Sequence, residues 1–159
     1  MGLRLTPGLM VGAQLVGVLA IGVAAVAQGA MAAPAVQVRG AAARLTIIPE
    51  ARRDIAVSLT HADPRLPLRI TRLGDRIFIT GDVGHRVHGC RTAAGRRGVA
   101  IWGRGAIPYE ELPTVVIRTP MTVRLSAGEA VFGDIGRSAS VDFTNQGCGD
   151  WTIADVQGR

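Results

Sequence analysis

The chain has no lysine. All 18 of its basic residues are arginine, set against 12 acidic residues in a total of 159. Aromatics are scarce too, with three Phe, two Trp and one Tyr, and there are only two cysteines. Catalytic signatures are missing as well. A serine hydrolase would need a Ser-His-Asp arrangement, but there is no G-x-S-x-G, and the three histidines, His61, His85 and His88, all lie between residues 61 and 88. Ser138 and Ser140 beside Arg137 read as turn residues. No phosphate loop, dinucleotide fingerprint or haem motif occurs, so no cofactor is expected. Arginines stand singly or in pairs, as at Arg52-Arg53 and Arg96-Arg97, and form no basic run. Nucleic acid is therefore not an expected partner.

The arginine bias has two readings. One is a GC-rich genome, with no functional meaning. The other is a surface of guanidinium forks that pair bidentately with phosphates or carboxylates, as on an anionic envelope. All but one of the 18 Arg lie beyond residue 32, giving that part a net charge of about +5.

The N-terminus is of another kind. Arg4 stands beside the free amino group, and residues 9–27 are apolar apart from Gln14. Ala30-Met31-Ala32 then places small residues at both positions that signal peptidase reads. A positive start, an apolar stretch and an A-x-A site make residues 1–32 a secretory signal, with a helix expected over 9–27. The mature protein then starts near Ala33 and works in the periplasm or at the cell surface. The alternative is an uncleaved anchor, since about 19 apolar residues can just span a bilayer. Only in that case does the chain contact a membrane.

The remaining 33–159 segment is long enough for one domain with a single core. Its apolar residues are mostly Val, Ile, Leu and Ala, punctuated by Gly, Pro and Asp, which favours short strands and turns. The even pair Cys90 and Cys148, in an exported protein, reads as a disulfide. Closing a loop of nearly 60 residues stabilises by about 4 kcal/mol in the chain-entropy picture.

The hydrophobic period along this segment is two. Val36/Val38, Leu45/Ile47, Ile55/Val57/Leu59, Leu66/Leu68/Ile70 and Ile77/Ile79 alternate with polar partners, as in strands with one buried face. Gly74-Asp75 between two such runs reads as a hairpin turn. Pro49, Pro64 and Pro67 mark breaks or edges. From His85 to Pro113 the alternation weakens among glycines and arginines, which predicts an irregular excursion around one short strand at residues 99–102. The first part, 33–113, is thus a set of strands followed by that excursion.

In the last part, 114–159, a repeat emerges. Val123-Arg124-Leu125-Ser126-Ala127, then Gly128, returns as Val141-Asp142-Phe143-Thr144-Asn145, then Gly147, 18 residues on. Val131-Phe132-Gly133-Asp134-Ile135 and Thr152-Ile153-Ala154-Asp155-Val156 match at a step of 21. A period near 20 residues predicts stacked rungs of a β-solenoid, each too small to bury its own apolar face. The predicted fold is all-β, with short strands leading into a solenoid-like stack. No polar cap follows the last rung. It is exposed, pairs with another copy, or belongs to a longer parent.

Thr114-Val115-Val116-Ile117-Arg118-Thr119-Pro120, then Val123, Ala127-Gly128 and Gly147-Cys148-Gly149-Asp150-Trp151, resemble the auto-transporter adhesin head (GIN domain) family. The resemblance covers residues 112–156 best. It implies an exported bacterial β-solenoid protein that works by binding or adhesion, and it brings no catalytic residues with it. The chain departs from the family pattern in having Cys148 where Ser is usual, and in carrying fewer rungs.

Some residues invite chemistry. His85-x-x-His88-x-Cys90, with His61 as a further ligand, offers imidazoles and a thiolate to Zn²⁺ or copper. A Cys90 in a disulfide cannot ligate, so His85 and His88 remain metal candidates only if it is free, and no metal is assigned. Asp134, Asp142, Asp150 and Asp155 recur through the repeat, and aligned carboxylates could hold Ca²⁺; turn aspartates are the plainer reading. Glu110-Glu111 on a strand would face opposite ways and make no acid/base pair. Trp102 and Trp151 read as core aromatics or sugar platforms. These features predict a non-enzymatic envelope or surface protein that binds a protein or an anionic envelope surface. The runner-up is a sensing or scaffold component that takes a partner through its open end; a periplasmic hydrolase or metal-binding protein is the third.

Overall fold

The computed structural model describes residues 33–91 and 95–158. Residues 1–32, read above as a secretory signal, and with them the helix expected over 9–27, lie outside the described residues. No helix among those described is long and apolar enough to cross a membrane.

The described chain is all-β. Its strands are β1 (Ala35–Arg39), β2 (Ala42–Pro49), β3 (Ala56–His61), β4 (Arg69–Leu73), β5 (Arg76–Thr80), β6 (Val87–Arg91), β7 (Arg97–Ile101), β8 (Gly105–Pro108), β9 (Thr114–Thr119), β10 (Thr122–Ala127), β11 (Ala130–Ile135), β12 (Ser140–Asn145) and β13 (Trp151–Ile153). Two 3-10 turns, Gly84–Arg86 and Tyr109–Glu111, interrupt them. The first sheet runs β12-β10-β1-β5-β4, the second β13-β11-β2-β9-β3 and the third β6-β7-β8.

The first two sheets are built in tiers, one strand of each sheet per tier. β1 and β2 form a middle tier. On one side lie β10 and β11, then β12 and β13, all parallel and in register. On the other lie β5 and β9, again parallel to β1 and β2. Beyond them β4 pairs antiparallel with β5 and β3 with β9, as the edge strands of that end. The chain thus lays down a middle tier first, then the antiparallel edge strands, then the outer tiers.

Alternation explains why these segments are strands. Val36 and Val38, Ile77 and Ile79, and Val123 and Leu125 turn inward from the first sheet. Leu45 and Ile47, Val115 and Ile117, and Val131 and Ile135 turn inward from the second, and all join one buried cluster. Burying each such side chain stabilises by about 2 kcal/mol before entropy is counted. The hairpin at Gly74-Asp75 forms as expected: Leu73 faces Arg76, and Gly74 takes a φ of 58°, a conformation that suits glycine.

Two sequence expectations need amendment. The excursion of residues 85–113 holds the expected short strand, as β7, but two further strands flank it. It folds as the antiparallel third sheet, whose Val99, Ile101 and Ile107 join Leu66, Leu112 and the outward Ala42, Ala130 and Phe132 in a second cluster against the second sheet. Register shifts along β6, beside the flanking glycines, break its alternation and hide the strand from a period-two reading. The step of 21 in the repeat is also replaced. Val123 faces Val141, Gly133 faces Trp151 and Ser138 bridges Val156, a constant offset of 18 residues. Trp151 sets this register by lying over Gly133, where a Cβ would come within 2.5 Å of its ring. Likeness of residues pointed to one alignment; room for a ring decided the other.

Candidate binding surface

Cys90 and Cys148 form a disulfide with Cα atoms 5.5 Å apart. It ties β6 of the third sheet to the corner between β12 and β13. Arg97 reinforces the same junction, with its guanidinium 3.4 Å from the Asp150 carboxylate and 4.7 Å from the Tyr109 ring centroid. With its sulfur so engaged, Cys90 leaves the histidine cluster without a thiolate. His88 packs against Trp102 with ring centroids 4.3 Å apart and the rings tilted by 46°, and His61 sits on β3. Among the described residues no group of three His, Cys, Asp or Glu side chains is placed to hold a metal ion.

The repeated aspartates do not stack on one another. Asp142 lies 3.8 Å from Arg124, Asp150 lies beside Arg97, Asp155 lies 4.0 Å from Arg137, and Asp134 faces Thr152. Glu110 and Glu111 fall in a 3-10 turn rather than a strand, and Glu111 pairs with Arg65 at 2.6 Å. Ser138 is fully buried at the corner after β11, while Ser140 opens β12. Trp151 packs on Phe143 with centroids 4.7 Å apart, whereas Trp102 is 65% exposed.

Half of the described arginines have acidic partners. Arg52 and Arg118 share Glu50 at 2.8 and 3.0 Å, and Arg65 holds Asp63 at 2.6 Å. Arg104 holds both oxygens of Asp82. Hydrogen bonds from these guanidinium groups keep the Glu50, Asp63 and Asp82 carboxyls below their usual range, against the opposing pull of partial burial.

The outer face of the first sheet is different. Its five strands carry five arginines and one acid, Asp142. Arg72 turns the other way and donates to the Ile55 carbonyl. Arg39, Arg69, Arg76 and Arg124 point outward and are exposed. Among the described residues the guanidinium groups of Arg39, Arg69 and Arg76 have no hydrogen-bond or ion-pair partner. Arg124 has only the long contact to Asp142, between groups that are 51% and 74% exposed. Such a pair contributes little.

Register orders this face into rows. Thr144, Ser126, Gln37, Phe78 and Thr71 lie side by side across all five strands. In the row below, Arg124 and Arg76 flank Ala35; in the row above, Thr80 separates Arg39 from Arg69. A groove of about 270 Å³ runs over the lower and middle rows, with Gln37, Phe78, Ser126 and Thr144 on its floor and Arg76, Arg124 and Asp142 in its wall. No third layer of described residues covers it, whereas the second sheet has Phe132 and Ala130 under the third sheet.

No protein-family model, curated protein or solved structure matches the chain. Sequence reasoning weighed an anionic surface as a partner but named no residues for it. The signal was present: Arg39, Arg76 and Arg124 each occupy the polar phase of an alternating run, so all three had to face outward on one sheet or another. What sequence could not supply was that strands so far apart in the chain share one sheet.

Proposed function

We propose that this chain is an exported envelope protein that binds an anionic surface, without catalysis, through the outer face of its first sheet. The observation that carries the reading is the segregation of charge. Elsewhere Arg52, Arg65, Arg86, Arg97, Arg104, Arg118 and Arg137 meet carboxylates, while this one face gathers three guanidinium groups with no partner among the described residues and a fourth held only loosely. The tiers are read as rungs of a short β-solenoid, because parallel strands stack in register and the last two tiers repeat at an offset of 18 residues in both sheets. On this reading the chain is kin to the auto-transporter adhesin head family, with export through residues 1–32 and an oxidising compartment suited to the Cys90–Cys148 bond.

The test is co-sedimentation of the purified chain with isolated bacterial envelopes, which carry both acidic glycan and anionic lipid. Binding is expected, with weakening as salt is raised. The variant R39A/R69A/R76A/R124A should lose it at least tenfold. Equal binding by the variant and the parent refutes the reading.

A second reading has its own support. β12 and β13 are both edges at the same end of the stack, each with one row of backbone groups unpaired by described strands. A partner strand added there would make the chain a scaffold component.

A further inference from the structure

We infer that the ligand of the arginine face is a linear, carboxylate-bearing polysaccharide lying along the Thr144–Thr71 row, perpendicular to the strands. The inference rests on the anionic-surface reading above and names its ligand class. It starts from the order of the rows. The middle row is uncharged and rich in hydrogen-bonding groups: two threonine hydroxyls, a serine hydroxyl and the Gln37 amide, with the half-buried Phe78 ring among them. Arginine-bearing rows flank it on both sides, each about 7 Å away along the strand direction, and the one acid among them, Asp142, stands at the β12 edge beside Arg124. Arg124 and Arg76 stand two strands apart on one side, and Arg39 and Arg69 two strands apart on the other. Each pair therefore has Cα atoms about 10 Å apart. The two pairs are staggered by one strand, so cations alternate from side to side as one moves across the sheet.

A chain that fits this pattern has a hydroxyl-rich axis with acidic groups leaving it alternately to either side. An acidic polysaccharide in an extended two-fold conformation has that form, and successive sugars advance by about one strand spacing of 4.8 Å. Its hydroxyls meet Gln37, Ser126, Thr144 and Thr71, one pyranose face meets the Phe78 ring, and its carboxylates take bidentate pairs from the guanidinium forks. The same face suits other polyanions less well. Lipid headgroups call for apolar side chains that enter the bilayer; the only large exposed one here is Leu73, at the hairpin corner. Single-stranded nucleic acid calls for a series of stacking rings, and the row holds one.

Polygalacturonate is the probe, tested against its methyl ester, against phosphatidylglycerol vesicles and with the full chain by isothermal titration at near-physiological salt. Saturable binding to polygalacturonate is expected, with loss of at least tenfold on esterification. R76A/R124A should weaken binding at least tenfold, and so should F78A/Q37A, which leaves the charge unchanged. R53A/R137A removes the same charge elsewhere and should change it less than twofold. Unfolding midpoints of all variants are compared to the parent to show that the fold persists. Equal losses from R76A/R124A and R53A/R137A overturn the site, because the attraction is then only net charge. Binding to the vesicles but not to polygalacturonate overturns the glycan and leaves the anionic-surface reading intact. Binding to neither, together with failure on isolated envelopes, overturns both.

Discussion

At the scale of single residues, the corner glycines govern how closely one tier can lie on the next. A Cβ added at Gly149 would fall 1.9 Å from the Val131 carbonyl oxygen, and one at Gly147 would fall 2.0 Å from that of Glu129. Neither carbonyl can retreat, since both belong to the backbone of the tier beneath. Gly149→Ala should therefore cost about 2 kcal/mol or more, as overpacking does, whereas Gly89→Ala, with nothing within 4 Å of its would-be Cβ, should stay within about 0.5 kcal/mol. Urea unfolding of the two variants measures the contrast. The carboxylates held by arginine make a second prediction. Glu50, Asp63 and Asp82 titrate lower in the folded chain than in the unfolded one. Their contribution is thus complete above the ordinary carboxylate value of about 4 and fades as pH falls through the folded values below it. The urea midpoint should fall in that window. Asp63→Asn should lower the midpoint at neutral pH and flatten its decline in acid; an unchanged pH profile would refute the assignment. None of these partners was legible in the sequence. Asp63 and Arg65 are only two residues apart, yet nothing in the spacing distinguishes a buried carboxylate gripped by its neighbour from two solvated charges.

Among the elements, the third sheet is the part whose attachment depends on the Cys90–Cys148 bond. Its hydrophobic contacts reach the second sheet through Phe132, Ala130 and Ala42, but its link to the β12–β13 corner is the disulfide with the Arg97–Asp150 pair beside it. The bond spans a sequence separation of 58 residues. In the chain-entropy picture its loss costs about 4 kcal/mol. Cys90→Ser/Cys148→Ser should therefore unfold at clearly lower urea, and amides of β12 and β13 should exchange faster than those of β1 and β2. Uniform exchange throughout would show that the bond does not secure that end. The strands with plain alternation, β1, β2, β5, β10 and β12, were legible, as was the two-residue hairpin. The third sheet was not, because its alternation is short and broken by bulges. The order of tiers was also hidden. A periodic pattern announces that strands stack, but β1 lies between β5 and β10 because of how the chain returns, and no local signal records that return.

For the molecule as a whole, the two ends of the stack are unlike. At one end the edge strands β4 and β3 run antiparallel to their neighbours, with Arg72 bonded to the Ile55 carbonyl beneath. At the other, β12 and β13 present their outer backbone edges side by side. Phe143, Val141 and Trp151 there are only partly buried, unlike Leu125 and Val123 one tier inward. Two adjacent open edges over a half-covered apolar row form a template for added strands. A second copy can meet it with its own open end, edge to edge, which closes after two chains rather than growing a fibre. The chain 33–159, exported and purified, is therefore expected to show a concentration-dependent monomer–dimer equilibrium in sedimentation velocity. Lysines at outward positions of both edges, in S140K/T152K, should shift it toward monomer through like-charge repulsion across the joint. Removal of the disulfide should loosen the corner that positions both edges and weaken the dimer as well. A chain that sediments as a single monomer at all concentrations would mean that the edges are guarded by their twist and short length alone. The scaffold reading would then lose its support, while the arginine face, on a different surface of the stack, would be untouched.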